Sequence, residues 1–114
     1  MQRIRPEDGK LVEIVEIADS MGTLNDASGT IATPNVSQEQ LPADPNRDYL
    51  FIQNLHTGGL WVNFGSDATV SQPSIKLNQD EKFVMSRASG FMSTQSVHLI
   101  GGGSNQPFTI KWSS

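Results

Sequence analysis

No cysteine occurs in the 114 residues. That removes disulfides, thiolate catalysis and cysteine-ligated zinc together, and it fits a chain made in a reducing cytosol. Histidine is scarce too, with His56 and His98 the two present. His56 falls in a turn and His98 in a strand, and no carboxylate stands near either at a familiar ligand spacing. Surface or edge roles are therefore expected for both, with no metal and no cofactor. Long apolar runs are missing, and none approaches the ~20 residues of a membrane helix. The opening MQRIRPEDGK carries charge where a signal peptide has its apolar stretch. A soluble chain is expected; if it acts outside a cell, it gets there by a route other than ordinary secretion, and release by lysis would do. Blocks of basic charge are also lacking. The formal net charge is -4 with both signs scattered, which argues against a nucleic-acid partner.

Catalytic signatures are absent as well. Neither G-x-S-x-G nor H-E-x-x-H occurs. Gly101, Gly102 and Gly103 follow a strand as a phosphate loop would, but no Lys-Ser/Thr and no helix come next, so a turn between strands is expected. Asp44 and Asp48 flank Arg47, and Asp80 adjoins Glu81. Paired carboxylates can run glycoside hydrolysis, yet both pairs sit at turns, where acidic residues are common for backbone reasons. Asn35-Val36-Ser37 matches a glycosylation sequon, which has no use without a secretory signal. An enzyme is not expected.

What is present is a series of short strands and turns. A chain of this length makes one domain with a modest core. Met1–Gly9, charged and holding Pro6 and Gly9, reads as an arm, and residues 10–114 as a single β-sandwich domain. Lys10–Ala18 fits both a helical and a β-branched strand template, and the strand is favoured. Asp19–Gly29 reads as a loop, Thr30–Val36 as an edge strand that Pro34 limits, and Ser37–Asn46 as a turn-rich link. Strands are then expected at Tyr49–Leu55, Leu60–Phe64, Ser74–Leu77, Lys82–Ser86, Ser96–Ile100 and Pro107–Trp112. Strands at this spacing predict an all-β sandwich or barrel, and the fold class expected is all-β, an antiparallel β-sandwich of jelly-roll type.

The densest signal lies between Pro45 and Gly65. Two apolar runs flank His56-Thr57-Gly58-Gly59, which predicts a β-hairpin. Leu50 and Ile52 share one face of the first run, and Tyr49, Phe51 and Leu55 the other. Leu60, Val62 and Phe64 share one face of the second, opposite Trp61 and Asn63. With both faces partly apolar, the pair is either central in a two-sheet fold or covered by another subunit. Trp61 has three open roles: packing on a second sheet, anchoring an interface, or stacking on a sugar ring. Arg47, which opens the first strand, is expected to pair with a carboxylate or with loop carbonyls.

A set of shared residues points further. They are Val36-Ser37-Gln38-Glu39-Gln40-Leu41, Pro45-Asn46-Arg47, Tyr49-Leu50-Phe51-Ile52-Gln53-Asn54, Trp61-Val62-Asn63-Phe64-Gly65, Ala68 and Ser74-Ile75-Lys76-Leu77. A weaker match follows at Phe83 to Met85 and Phe108-Thr109-Ile110-Lys111. On these, the stretch Thr30–Trp112 resembles small virion structural proteins of tailed bacteriophages. The resemblance implies a capsid decoration, or cement, protein: a small sandwich capping the phage head as a homodimer or homotrimer, with the major capsid protein as partner. It supplies no catalytic residue. The expected setting is the virion surface, after synthesis in the host cytoplasm. Arg3, Ile4 and Arg5 of the arm, with Tyr49 and Trp61, are the expected interface, and Arg47 the structural residue. Two alternatives remain: a tail, baseplate or head-fibre module of the same fold, or a carbohydrate-binding module that uses Trp61 and Tyr49 as a platform for a glycan.

Overall fold

The computed structural model describes residues 4–5, 9–10 and 23–114. Two short strands, β1 (Ile4–Arg5) and β2 (Gly9–Lys10), pair with each other as a separate two-stranded sheet. The remaining strands are β3 (Asn25–Asp26), β4 (Gly29–Thr30), β5 (Gln38–Leu41), β6 (Tyr49–Asn54), β7 (Leu60–Phe64), β8 (Ile75–Leu77), β9 (Lys82–Ser86), β10 (Val97–Gly101) and β11 (Pro107–Ser113). They form a β-sandwich. One sheet runs β5-β10-β7-β8, and the other runs β3-β11-β6-β9 with β4 also on β11. Every pairing is antiparallel. Among the described residues there is no α-helix, only a 3-10 turn at Arg87–Ser89. The segment 11–18, expected as a strand, lies outside the described residues.

The core follows from period-two alternation. Leu50 and Ile52 of β6 and Phe108 and Ile110 of β11 face Leu60 and Val62 of β7 and Val97 and Leu99 of β10, all fully or almost fully buried. Burying an aliphatic side chain of this kind stabilises the fold by about 1.5–3 kcal/mol. At the β8/β9 edge, Phe64 and Phe83 come from opposite sheets and close the layer, their ring centroids 6.0 Å apart.

The expected hairpin is not formed. β6 lies between β11 and β9 in one sheet, while β7 lies between β10 and β8 in the other. The residues 55–59 therefore make a corner between sheets. Asn54, fully buried, explains why. Its Nδ2 donates to Gly58 O (2.8 Å) and to Leu77 O of β8 (3.0 Å), and its Oδ1 accepts from the His56 amide (3.0 Å). The side chain closes the turn and ties it to the far sheet, so the chain crosses over instead of folding back. A hairpin and a corner share the same local pattern of two apolar runs and a glycine turn, and only the partners distinguish them.

The expected strand over 30–36 is shorter and the expected link over 37–46 is not wholly a link. β4 stops at Thr30, and a new edge strand, β5, spans Gln38–Leu41. Its sequence, QEQL, carries little apolar signal because its glutamines do polar work. Gln38 Oε1 accepts from Ala32 N (2.9 Å), Gln38 Nε2 donates to Thr30 O (3.2 Å), and Gln40 Nε2 donates to Ala27 O (3.0 Å). These bonds join the edge of one sheet to the edge of the other. Within the expected loop before residue 30, β3 and β4 keep one register against β11. Between them the Ser28 hydroxyl accepts from Ile110 N (3.0 Å), standing in for a main-chain partner.

Leu50→Ala should cost about 2–5 kcal/mol, the range for emptying a packed aliphatic site. Val70→Ala, at an exposed position, should stay within about 0.5 kcal/mol. Urea unfolding of both variants, at unchanged m-value, measures the contrast.

Candidate functional site

One end of the sandwich is built around Arg47, whose side chain is 1% exposed. Asp44 turns the chain into position: its carboxylate accepts from Asn46 N (2.9 Å) and its carbonyl from Arg47 N (3.2 Å). The guanidinium then reaches inward and touches carbonyls alone. Nη1 donates to Ser93 O (3.1 Å) and Gln95 O (2.9 Å), and Nη2 to Pro42 O (2.8 Å). Nε has no partner. Burial pushes the guanidinium below its ordinary pKa, and the nearby Asp44 charge opposes the shift. Arg87 clasps the same chain from outside. Its Nη2 donates to Arg47 O (2.7 Å) and its Nε meets the Asp48 carboxylate at 2.7 Å. Arg47 is thus enclosed by its own β5–β6 connection and by the β9–β10 connection, and is unavailable to a partner. Gly65, at φ +82°, packs beside Gln95 at this end, and that left-handed conformation favours glycine.

The opposite end holds the groups that could have suggested chemistry. Gln106 is fully buried. Its Nε2 donates to Gly59 O (3.0 Å) and Gly58 O (3.4 Å), and its Oε1 accepts from Gly103 N (3.2 Å). A Cβ on Gly103 would lie 2.8 Å from His56 Cε1, so the glycine run is shaped by crowding against the 55–59 corner. His56 Nδ1 accepts from Gly58 N (2.9 Å). At the Asp80–Glu81 pair, Glu81 accepts from Asn78 N (2.7 Å), and Asp80 takes the left-handed φ of a tight turn. His98, in the other half of the molecule, meets Ser96 Oγ through Nε2 (2.8 Å) and lies 3.8 Å from the Asp67 carboxylate through Nδ1. No group of three or more metal-ligating side chains occurs among the described residues.

The two aromatics expected to share an interface do not share a face. Leu60 and Val62 point inward from β7, so Trp61 points out from the four-stranded sheet. Leu50 and Ile52 point inward from β6, so Tyr49 points out from the other. They occupy opposite outer surfaces and cannot form a single platform for a glycan or a capsid. Trp61 does not pack on the second sheet either: Lys76 Nζ sits over its ring at 5.6 Å. The same surface is crossed by the segment 65–74, since Asn63 donates to Asp67 O (3.0 Å) and Ala68 N donates to Ser37 Oγ (2.9 Å) just before β5. Outward-facing His98 and Ile100 are buried there.

The other outer surface carries exposed apolar side chains, and alternation in the sequence already put Phe51 on it with Tyr49. Phe51 and Val84 are cross-strand partners, and Phe91 bridges Ser86 beyond the sheet edge. The signal for Phe51 and Val84 was their odd-even place in their strands, while Phe91, in a turn, gave none. Of the arm residues, Ile4 and Arg5 lie in β1, paired with Lys10 and Gly9. Arg3 lies outside the described residues.

Compared with protein-family models, with curated proteins and with solved structures, the chain has no match.

Arg47→Ala would leave three carbonyls without their donor, and a loss of about 3 kcal/mol or more is expected, read as a lowered melting temperature. Arg47→Lys should recover little of it, because a point charge cannot span the three acceptors.

Asp26 allows a pH test. The Ser28 hydroxyl, then the Ser28 amide, hold its carboxyl below the usual range, with Lys111 adding to the shift and desolvation opposing it. A depressed folded pKa means that the contribution is present at neutral pH and is lost as pH falls through that lowered value. NMR titration of Asp26 should show the low midpoint, and Ser28→Ala should move it upward.

Proposed function

We propose that the protein is a bacteriophage capsid decoration protein, a sandwich that attaches to the outside of the head as a dimer or trimer and stabilises the junctions between capsomers. The observation that carries the reading is the separation of the chain into two parts. β1 and β2 pair with each other and with neither sheet of the sandwich. A small rigid body with a separately paired basic strand pair can sit on a surface while the strands reach across a subunit boundary. The strand order also supports it. From β4 on, the chain alternates between the layers β4-β11-β6-β9 and β5-β10-β7-β8 except at the step from β7 to β8, which we read as the jelly roll found among viral capsid domains. The residues that resemble tailed-phage virion proteins include Arg47, Asn54, Gly65 and Ala68. These are the residues that shape the ends and the covering loop of this sandwich.

Mechanistically, an attachment that favours the assembled shell over the loose subunit raises the cost of opening the shell. Arg3 and Arg5 supply charge for acidic capsid surface. Attachment therefore weakens as salt rises, because exposed charges are screened beyond about 8 Å at physiological ionic strength.

Quantitative mass spectrometry of particles of the encoding phage tests the placement. Hundreds of copies per virion are expected of a decoration protein. A handful would assign the chain to the tail, baseplate or a head fibre. Co-sedimentation with undecorated capsids should weaken with added salt and in Arg3→Glu/Arg5→Glu, while the melting temperature stays unchanged.

A further inference from the structure

The register of the five-stranded sheet fixes what its outer face presents. In one row Tyr49 stands between Ser113 and Ser86, and Ser86 bridges Phe91. In the next, Phe51 stands between Lys111 and Val84, with Asp26 beyond Lys111. A third row holds Thr109, Gln53 and Lys82. Leu24 precedes β3, whose Asn25 pairs with Trp112, so it flanks the Ser113 end of the first row. Phe91 is 70% exposed, Leu24 57% and Val84 46%. Leu24, Tyr49 and Phe91 thus alternate with Ser113 and Ser86 across this face, and Phe51 and Val84 adjoin them in the next row. Exposed apolar side chains grouped in this way mark an interaction site.

We infer that a second copy of the chain packs on this face, sheet against sheet, about a two-fold axis running along β6. The arrangement of residues selects that occupant. A two-fold along β6 sets Tyr49 and Phe51 against their own counterparts and exchanges the two borders, so Leu24 of each copy covers Phe91 of the other. It also exchanges β9 with β11. Lys82 then meets Thr109 and Lys111 meets Val84, so no lysine opposes a lysine. Asp26 and Asp48 are already paired on their own chain, with Lys111 (3.6 Å) and Arg87 (2.7 Å). The face and its rim carry Lys82, Arg87 and Lys111 against Asp26, Asp48, Asp80 and Glu81, close to balance, whereas the chain as a whole is -4. Repulsion between copies of an acidic chain is therefore low on this side. At ~4.8 Å between strands, the footprint is about 20 Å across, and two copies bury on the order of 1,000 Å², the threshold of a specific interface. Sheets packed face to face in this way also follow the aligned geometry inside sandwiches.

The inference rests on the self-association in the reading above and not on the capsid. A monomer that still co-sediments with capsids overturns the inference and the self-association it rests on, and leaves the capsid attachment standing. A dimer that never binds them overturns the reading alone.

The chain has no cysteine, so a covalent test is direct. In the full-length Leu24→Cys/Phe91→Cys variant, the two positions of one chain are separated by the width of the sheet, while across the two-fold they adjoin. Oxidation should give a disulfide-linked dimer from the double variant and from neither single variant. Sedimentation of the unmodified chain at about 50 μM should give a dimer, and Phe91→Glu should weaken it at least about tenfold with an unchanged circular dichroism spectrum. Val84→Lys, which sets a lysine against Lys111 of the other copy, serves as a second variant and should act in the same direction. A monomer at that concentration, a trimer, a dimer indifferent to both substitutions, or a double-cysteine chain that stays uncrosslinked would each overturn the assignment. So would protection of Tyr49 and Phe91 in a monomer, which would mean that the chain covers the face with its own residues.

Discussion

The sandwich encloses a thin layer of aliphatic side chains, and beyond that layer its loops must still bury carbonyl groups. A buried carbonyl without a donor costs about 1–3 kcal/mol, so each end needs a donor-rich side chain that can reach inside. Arg47 meets this need at one end. Its planar fork engages Ser93, Gln95 and Pro42 at once, tying the β5–β6 connection to the β9–β10 connection. The cost of desolvating the charge is offset by those bonds, and Arg87 with Asp48 seals the outside. The position of β6, and with it the aromatic face it carries, depends on where this end is pinned.

The far end solves the same problem with neutral amides. Asn54 and Gln106 donate into the corner at 58–59 and accept from its surroundings. Glutamines along β5 and the hydroxyl of Ser28 do similar work on the edge between the sheets. The fold is therefore cohesive through polar side chains at its margins as much as through its core. This is a workable design for a short chain that has neither disulfides nor many aromatics.

Most strands could be read from the sequence. Leu60–Phe64 and Lys82–Ser86 coincide with their expected bounds, and β6, β8, β10 and β11 differ by a residue at one end or both. Inward and outward faces were legible too, because alternation is a local property: Leu50 and Ile52 are buried and Tyr49 and Phe51 half-buried. Pairing was not legible, because the partner of a strand is a non-local fact. The hairpin expected around Gly58 is a corner, and Tyr49 and Trp61, near in sequence, lie on opposite surfaces. β5 was missed because glutamines engaged in hydrogen bonds leave no hydrophobic pattern. Arg47 was expected to meet a carboxylate or loop carbonyls, and it meets carbonyls, but nothing local indicated that Ser93 and Gln95, 46 and 48 positions away, would supply two of them.

The substitution of a hydroxyl for a peptide group at Ser28 has a consequence for how the molecule behaves in a crowd. A sheet that ends in an unbroken row of free main-chain groups is a template for runaway strand addition. Here the β3/β4 border is interrupted at its centre, the β9 border carries Lys82 and is bridged at Ser86 by Phe91, and β5 is bulged against β10. These three margins are unreceptive to a foreign strand while a broad face stays available. A protein so arranged can be concentrated on a surface without polymerising through those edges.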